Sequence, residues 1–418
     1  MKIEVSPKVF IAEKEQTVYV KTSQSGELFI KIQPMEIYGI KHTPKYRIDE
    51  ETRYPFVPLK LERKGVYSIR FTFFGEQRYD VQIKSGGEVI YKTHLYSVHE
   101  DAAGLDVFKG DTHLHSCRSD GEGTPFEVGC AYRAAGYDFI AITDHHRFFP
   151  SIEGKEAFES LTNTFRVFRG EEVHNHDMGY FHIINFDGEF SVNDIVEEQE
   201  EYVEKEVENI LSTTDFPAYV ADKYDCAYRM FIAREIRRGG GVAIMAHPYW
   251  DCFGEYNMQE PNIRYLWEKG AFDALEVLAG CDRTDYGNNL QVALWTDLKL
   301  QGIKIPVVGA SDAHSTVAAD SLFNKQYSLV FAENSDGIKD AIKADRSVAV
   351  LAKKDWYFTF GAFRWAKYAR FLLEEYFPSY VKLTKKHALA LAQKDEKSIT
   401  RTEKAILAYK KKFFVWCE

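Results

Sequence analysis

The sequence predicts an α/β protein. A parallel barrel of alternating strands and helices spans residues 105–350, an all-β module spans 1–103 before it, and a helical extension spans 353–418 after it. Three observations carry this prediction. Strand patterns without helices between them fill the first hundred or so residues. Strands and helical segments then alternate, as they do in parallel sheets. Within that stretch apolar strands repeatedly end in His or Asp, the side chains expected at the mouth of a barrel, where active sites collect.

The first module rests on Val18-Tyr-Val-Lys-Thr, Glu27-Leu-Phe-Ile-Lys-Ile, Gly65-Val-Tyr-Ser-Ile-Arg-Phe-Thr-Phe and Tyr79-Asp-Val-Gln-Ile. These runs alternate or are rich in β-branched and aromatic residues, and together they suggest a small sandwich. It serves packing or dimer formation, with ligand binding or cover of the barrel mouth as alternatives. Asp101-Ala-Ala-Gly104 reads as a linker. Thr124 to Gly136 has Pro early and Gly at its end, as a helix should. Ser191 to Arg238 is a long insertion in which Val203, Val207, Ile210 and Leu211 follow helical spacing and a glutamate run forms a solvated face. After Gly239-Gly-Gly241 and a strand ending in His247-Pro248, the aromatic loop Tyr249 to Tyr256 is placed to form a substrate wall, with Trp250 and Phe253 among its aromatic side chains. Phe272 to Leu278 gives another strand and Tyr327 to Phe331 a final one. Asp336 to Val348 is expected to be the closing helix and turn. Residues 353–418 look helical, with Phe360, Phe363, Trp365, Tyr368, Phe371 and Leu372 forming an apolar stripe for packing on the barrel or a sister subunit.

Composition narrows the function. A chain of 418 residues suits two or three domains, and 45% hydrophobic content with 28% charged residues is that of a globular protein. No run of about twenty apolar residues marks a membrane span, and the start of the chain lacks the apolar segment of a signal peptide, so the expected location is the cytoplasm. The cysteines at 117, 130, 226, 252, 281 and 417 form no Cys-x-x-Cys pair, which argues against a zinc ribbon or disulfide scaffold. Cys117 reads as a small packed residue. A net charge of −10 argues against nonspecific nucleic-acid binding by the whole chain. The basic balance of residues 353–418 leaves nucleic acid possible but not indicated.

The chemistry begins at Gly110-Asp-Thr-His113-Leu-His115, followed by Asp120. In an extended chain His-x-His places both imidazoles on one face, aimed at one point. The same grammar recurs at Phe139-Ile-Ala-Ile-Thr-Asp-His145, at Val242-Ala-Ile-Met-Ala-His247 and at Ile305-Pro-Val-Val-Gly-Ala-Ser-Asp312-Ala-His314. Gly170-Glu-Glu172-Val-His174 and Tyr180-Phe-His182 lie between them. Nine of the thirteen histidines fall between 113 and 314, the pattern expected of a polynuclear metal centre.

Taken in order, His-x-His with Ser-Asp-Gly, Thr-Asp-His, Gly-x-Glu, a strand His, Ala-His-Pro and Ser-Asp-Ala-His resemble the PHP (polymerase and histidinol phosphatase) superfamily. The resemblance covers roughly residues 105 to 350 and is nearest the branch that includes carbamate and carbaryl hydrolases. It implies a distorted (β/α)7 barrel and two or three Mn, Fe or Zn ions. Its implied ligands are His113, His115, Asp120, His145, Glu172, His182, His247, Asp312 and His314. Glu171 remains open in place of Glu172, and His174 or His176 in place of His182; alternation lets only one of the two glutamates face inward, and the Gly-x-Glu spacing favours Glu172. Asp144 reads as a residue that orients a histidine. Glu276 could reach the site, but the family pattern gives it no ligand role. The family pattern says nothing about residues 353–418.

Six neutral imidazoles and three carboxylates carry about −3, and two or three divalent ions add about +4 to +6, so a loaded site attracts anions. The expected function is phosphoester hydrolysis by a metal-bridging hydroxide on a small-molecule substrate. His146, His174 and His176 are candidate general acids, and Arg118 and Arg147 candidate phosphate clamps. A carboxylic ester or carbamate hydrolase using the same centre, and a noncatalytic metal-binding regulatory protein, are the alternatives. A homo-oligomer is possible.

Overall fold

The computed structural model describes residues 3–24, 26–36, 54–175, 181–252, 254–280, 286–318, 321–354 and 356–417. They fall into two compact units. One comprises Met1–Leu105, Arg370–Tyr380 and Lys404–Glu418, and the other Asp106–Ala369 and Val381–Glu403. Among the described residues no helix is long and apolar enough to cross a membrane.

The first unit contains β1 (Ile3–Ser6), β2 (Val9–Ile11), β3 (Glu15–Thr22), β4 (Leu28–Pro34), β5 (Val57–Pro58), β6 (Lys60–Arg63), β7 (Val66–Thr72), β8 (Gln77–Ser85) and β9 (Glu88–Val98). They pair as two sheets, β1-β3-β7-β6 and β2-β9-β8-β4-β5. Period-two patterning is the cause: along β8, Tyr79, Val81 and Ile83 are buried while Arg78, Asp80 and Gln82 point away. Val5, Val18 and Val20 of one sheet share a core with Ile30, Val81, Ile83 and Leu95 of the other, which makes a sandwich. Residues from the end of the chain complete the unit. Tyr376 stacks on Tyr380 and Tyr409, with ring centroids 4.9 and 5.2 Å away. Glu375 receives Lys8 Nζ at 3.0 Å and lies 2.7 Å from His94 Nδ1.

The second unit is mixed α/β. Its strands are β10 (Asp106–Asp111), β11 (Phe139–Ala141), β12 (Arg166–Phe168), β13 (Gly170–Val173), β14 (Ile183–Phe186), β15 (Val242–Met245), the small hairpin β16 (Asp251–Cys252) and β17 (Glu255–Tyr256), β18 (Ala274–Leu278), β19 (Val307–Gly309), β20 (Gln326–Ala332), β21 (Ser347–Lys353) and β22 (Trp356–Gly361). A six-stranded sheet runs β12-β11-β10-β20-β21-β22 and a five-stranded sheet β13-β14-β15-β18-β19. Parallel pairing joins β10, β11 and β12, and again β15, β18 and β19. The other pairs are antiparallel, including β13–β14. That pair follows from chain length, because the link from Val173 to Ile183 is shorter than the dozen or so residues a parallel crossover needs. Isolated bridges between Leu114 and Ala313 and between His145 and Glu172 tie strand ends together.

Helix α1 (Pro125–Ala134) begins as its sequence requires, with Thr124 and Glu127 forming a reciprocal capping box. It is followed by α2 (Phe149–Glu159), α3 (Val192–Glu198), α4 (Glu200–Thr213) and α5 (Lys223–Arg238). In α4, Val203 and Val207 are buried, as their spacing predicts. Three expectations are corrected. Tyr327 to Phe331 is not the last strand, since β21 and β22 follow. Phe360 lies in β22 rather than in a helix: Trp-Tyr-Phe-Thr-Phe is an aromatic and β-branched run, and it adds to the edge offered by β21. Cys117 is exposed, not packed.

Glu375 yields a stability prediction. Burial opposes its charge, but His94 and Lys8 outweigh burial and lower its pKa from 4.5 to about 2. A depressed carboxylate pKa stabilises above the unfolded value and loses that contribution as pH falls through the folded value. Glu375→Gln is expected to cost about 2 kcal/mol at neutral pH, since it strands a mostly buried Lys8. Urea titrations should show that the difference from wild type shrinks between about pH 4.5 and 2. An unchanged difference across that range would contradict the assignment.

Candidate metal centre

The side chains that converge in the second unit all sit at strand ends. His113 and His115 follow β10, His145 follows β11, His247 follows β15, and Asp312 and His314 follow β19. Glu172 lies in β13. His182 precedes β14, and because β14 runs antiparallel to its neighbours its beginning lies at the same edge as their ends.

Glu172 is central. Its Oε2 lies 3.4 Å from His113 Nε2 and 3.6 Å from His115 Nε2, and these nitrogens are 3.2 and 3.0 Å from Asp312 Oδ1. Its Oε1 lies 2.6 Å from His182 Nδ1 and 3.3 Å from His247 Nε2, themselves 3.3 Å apart. A third group sits at the rim, where Asp120 lies 3.5 Å from His145 Nε2 and 3.3 Å from His314 Nε2. His145 Nδ1 is 2.7 Å from Glu172 Oε2, so the rim group adjoins the other two. Exposure grades across the centre, from 0% for the His113 side chain to 39% for His314 and 57% for Asp120.

The donor set fits divalent ions. Four ligands about 2.1 Å from one ion in a tetrahedron lie roughly 3.4 Å apart. His113 Nε2 and His115 Nε2 lie 3.2 Å apart and each lies 3.0–3.6 Å from Glu172 Oε2 and Asp312 Oδ1, close to that value. Glu172 Oε2 is fully buried without a hydrogen-bond donor, as are His115 Nδ1 and His247 Nδ1. An orphaned buried carboxylate oxygen surrounded by ring nitrogens needs a cation. The protonation balance agrees. Burial disfavours charge on Glu172, yet His182, His113 and His145 hold it well below the usual carboxylate range. Burial also disfavours charge on His145, but Glu172 and Asp120 push it up to about 10. The carboxylates thus draw positive charge onto the imidazoles where ions would otherwise supply it.

The surroundings hold these groups in place. His113 Nδ1 lies 2.9 Å from Glu276 Oε1, and Glu276 Oε2 accepts the His247 backbone N–H at 3.1 Å. A carboxylate behind a histidine fixes its tautomer and leaves Nε2 free to ligate. Glu276 thus reaches the site as a partner of His113. Its signal was present in Ala-Leu-Glu-Val-Leu, a carboxylate within an otherwise apolar buried strand, which a core strand accepts only with a partner. Asp144 is corrected too: it accepts hydrogen bonds from Ser116 and Ser119 and so fixes the turn after His115 rather than a histidine. Glu171 faces away from the centre and accepts from Asn185, Ser191, Val192 and Asn193. His247 and Asp312 adopt φ of 21° and 50°, a cost that neighbouring contacts must offset. Gly121 is required sterically, since a Cβ there would meet the His115 carbonyl at 2.7 Å.

The remaining candidates divide. His174 joins the cluster, with Nε2 2.7 Å from His145 Nδ1 and 3.5 Å from Glu172 Oε2. His146 stands at the edge, its ring 4.4 Å from that of His174 and its Nδ1 3.2 Å from Glu197. Glu197 therefore does more than solvate a helix face. Arg118 is held by a two-pronged pair with Glu153 at 2.9 and 2.8 Å, and Arg147 is exposed and donates to the Arg118 carbonyl. His176 and Phe253 lie outside the described residues. Trp250 packs beside the centre, 5.2 Å from the His182 ring and 5.5 Å from that of His247.

No protein-family model matches the chain, and no curated protein matches it. Among solved structures it is similar to a two-domain protein from Bacteroides vulgatus that contains a predicted PHP-like metal-dependent phosphoesterase. That match has 22% identity and a TM-score of 0.41, and covers 59% of this chain and 65% of that one. A candidate metal-dependent phosphoesterase from Bifidobacterium adolescentis matches at 16% identity and a TM-score of 0.39, over 56% of this chain and 95% of the other. An amidohydrolase from Chromobacterium violaceum, with sulfate and no metal bound, matches at 18% identity and a TM-score of 0.34, over 51% and 89%.

If Glu276 orients His113, Glu276→Gln should weaken metal affinity by about 10- to 100-fold. Competition against a chromophoric chelator measures this directly. Affinity equal to wild type would remove Glu276 from the site.

Proposed function

We propose that this chain is a PHP-type metal-dependent hydrolase that cleaves phosphoester bonds at a centre of two or three divalent ions. The observation that carries the reading is Glu172, one buried carboxylate whose two oxygens face two different histidine groups while a third group adjoins it. In this reading the strands of the two sheets that fall within residues 105–350 belong to a distorted (β/α)7 barrel, which in the chain follows the β module of 1–103 and precedes the extension of 353–418.

His113, His115, Glu172 and Asp312 would hold one ion, Glu172, His182 and His247 a second, and Asp120, His145 and His314 a third. Bound ions supply Lewis acidity toward a phosphoryl oxygen and lower the pKa of water. A phosphoryl group in transfer spreads charge over three equatorial oxygens, which suits three convergent positions better than a carbonyl does. The chain itself provides order: Glu276 sets the His113 ring, Asp144 sets the turn carrying Asp120, and Trp250 walls one side. His146, backed by Glu197, stands where it can hold a proton for a leaving group. Arg118 contributes through Glu153 rather than as a clamp on phosphate.

A carboxylic ester or carbamate hydrolase is the second reading, favoured by the engagement of Arg118 with Glu153 and by Trp250 at the centre. Protein reconstituted with Mn, Fe or Zn and tested on phosphomonoesters, phosphodiesters and aryl carboxylic esters separates the two. Phosphoester turnover is expected, abolished by chelation and reduced about a thousandfold or more by Glu172→Gln, which removes an oxygen shared between ion positions. Turnover of carboxylic esters alone would replace the proposal with the second reading. Bound metal without turnover of any ester would point to a binding protein.

A further inference from the structure

A groove of about 840 Å³ opens beside the metal centre, lined by His146, Arg147, Phe148, Phe149, Ile152 and Ala157, with Glu153, Glu156 and Asp194 on its walls. Its size is that of a small-molecule site. It borders the centre at His146, which lines the groove and whose ring lies 4.4 Å from that of His174, and His174 Nε2 is 2.7 Å from His145 Nδ1. Two consecutive phenylalanines at the start of α2 give it an apolar wall. Phe149 is 55% exposed, a large apolar ring left open to solvent on the groove wall.

We propose that this groove is the leaving-group subsite, and that the substrate class is a phosphoester of an alcohol bearing a planar aromatic ring. The inference rests on the phosphoester reading above and goes beyond it. An aromatic ring laid on Phe149 gains apolar burial and ring–ring contact in the geometry such pairs prefer. The polar lining then sets the ring's substituents. Glu153 is engaged by Arg118, whereas Glu156 and Asp194 are exposed carboxylates. They accept hydrogen bonds from amino or hydroxyl groups and repel a second anion. Arg147 is too exposed to offset both. Sugar phosphates and bisphosphates whose second charge would enter the groove are therefore poor substrates, and ring-bearing alcohol phosphates are good ones.

The test compares 2-phenylethyl phosphate with ethyl phosphate on metal-loaded protein, because their leaving alcohols have similar basicity and differ chiefly in the ring. The expected result is about a tenfold preference in kcat/KM for the ring-bearing substrate, falling to about twofold in Phe149→Ala. Phe149 is exposed, so its removal spares the core. A second measurement needs no turnover: saturation-transfer NMR should detect 2-phenylethanol on the wild-type protein and lose the signal in Phe149→Ala. Equal kcat/KM for the two phosphates, or a preference that Phe149→Ala leaves intact, overturns the subsite while the phosphoesterase reading stands. If neither phosphate turns over while carboxylic esters do, the phosphoesterase reading fails and the leaving-group assignment falls with it, whereas a 2-phenylethanol signal seen in both proteins or in neither would overturn the ring site independently of turnover.

Discussion

Everything in the second unit depends on placing the Glu172 carboxylate in a buried, donor-poor position among histidine rings. A bare carboxylate there would be costly, because burial removes its hydration. Its charge must be met by cations, and the chain supplies only imidazoles, which are either protonated or ligands. The same constraint explains why the histidines crowd together, with the His113 and His247 rings stacked at 5.5 Å and those of His115 and His145 at 4.3 Å. Such packing is unfavourable for protonated rings and natural for rings whose lone pairs share metal ions.

Holding this arrangement requires a supporting layer. Asp111 is buried, which pushes its carboxyl up to about 7, and it accepts backbone N–H bonds from both His113 and Ser311. It thereby joins the end of β10 to the exit of β19, and so the His113–His115 pair to the Asp312–His314 pair. Asn193 does the same on the other side: its amide donates to Glu171 and to the Glu172 carbonyl and accepts from the His174 N–H. Both remove backbone freedom from strands that carry the clustered histidines and carboxylates, as preorganised sites demand. The positive φ values of His247 and Asp312 fit this picture, since strain persists only where surrounding contacts over-determine the geometry.

Much of the site was legible because strand ends announce themselves: an apolar run terminating in His or Asp is visible without knowing how strands pair. Alternation sends Glu171 and Glu172 to opposite faces without saying which is inward, the Gly-x-Glu spacing favours Glu172, and the structure places Glu171 among Asn185, Ser191 and Asn193. What escaped was non-local. Glu276 lies in a different strand from the histidine it orients, and the commitment of Arg118 to Glu153 depends on how α2 packs. The fold followed the same division. Sandwich strands and the α1 cap were written locally, whereas the antiparallel β13–β14 pair and the strand character of residues 356–361 depended on which sheet edge was available.

The most direct test of the account is anomalous diffraction from crystals of the protein loaded with manganese or zinc, collected at the absorption edge of the metal. Peaks are expected on both sides of the Glu172 carboxylate, about 3.5–4 Å apart as in paired-ion sites, with a third near Asp120, His145 and His314 if three ions bind. A single peak away from Glu172, or none in crystals containing saturating metal, would contradict that expectation.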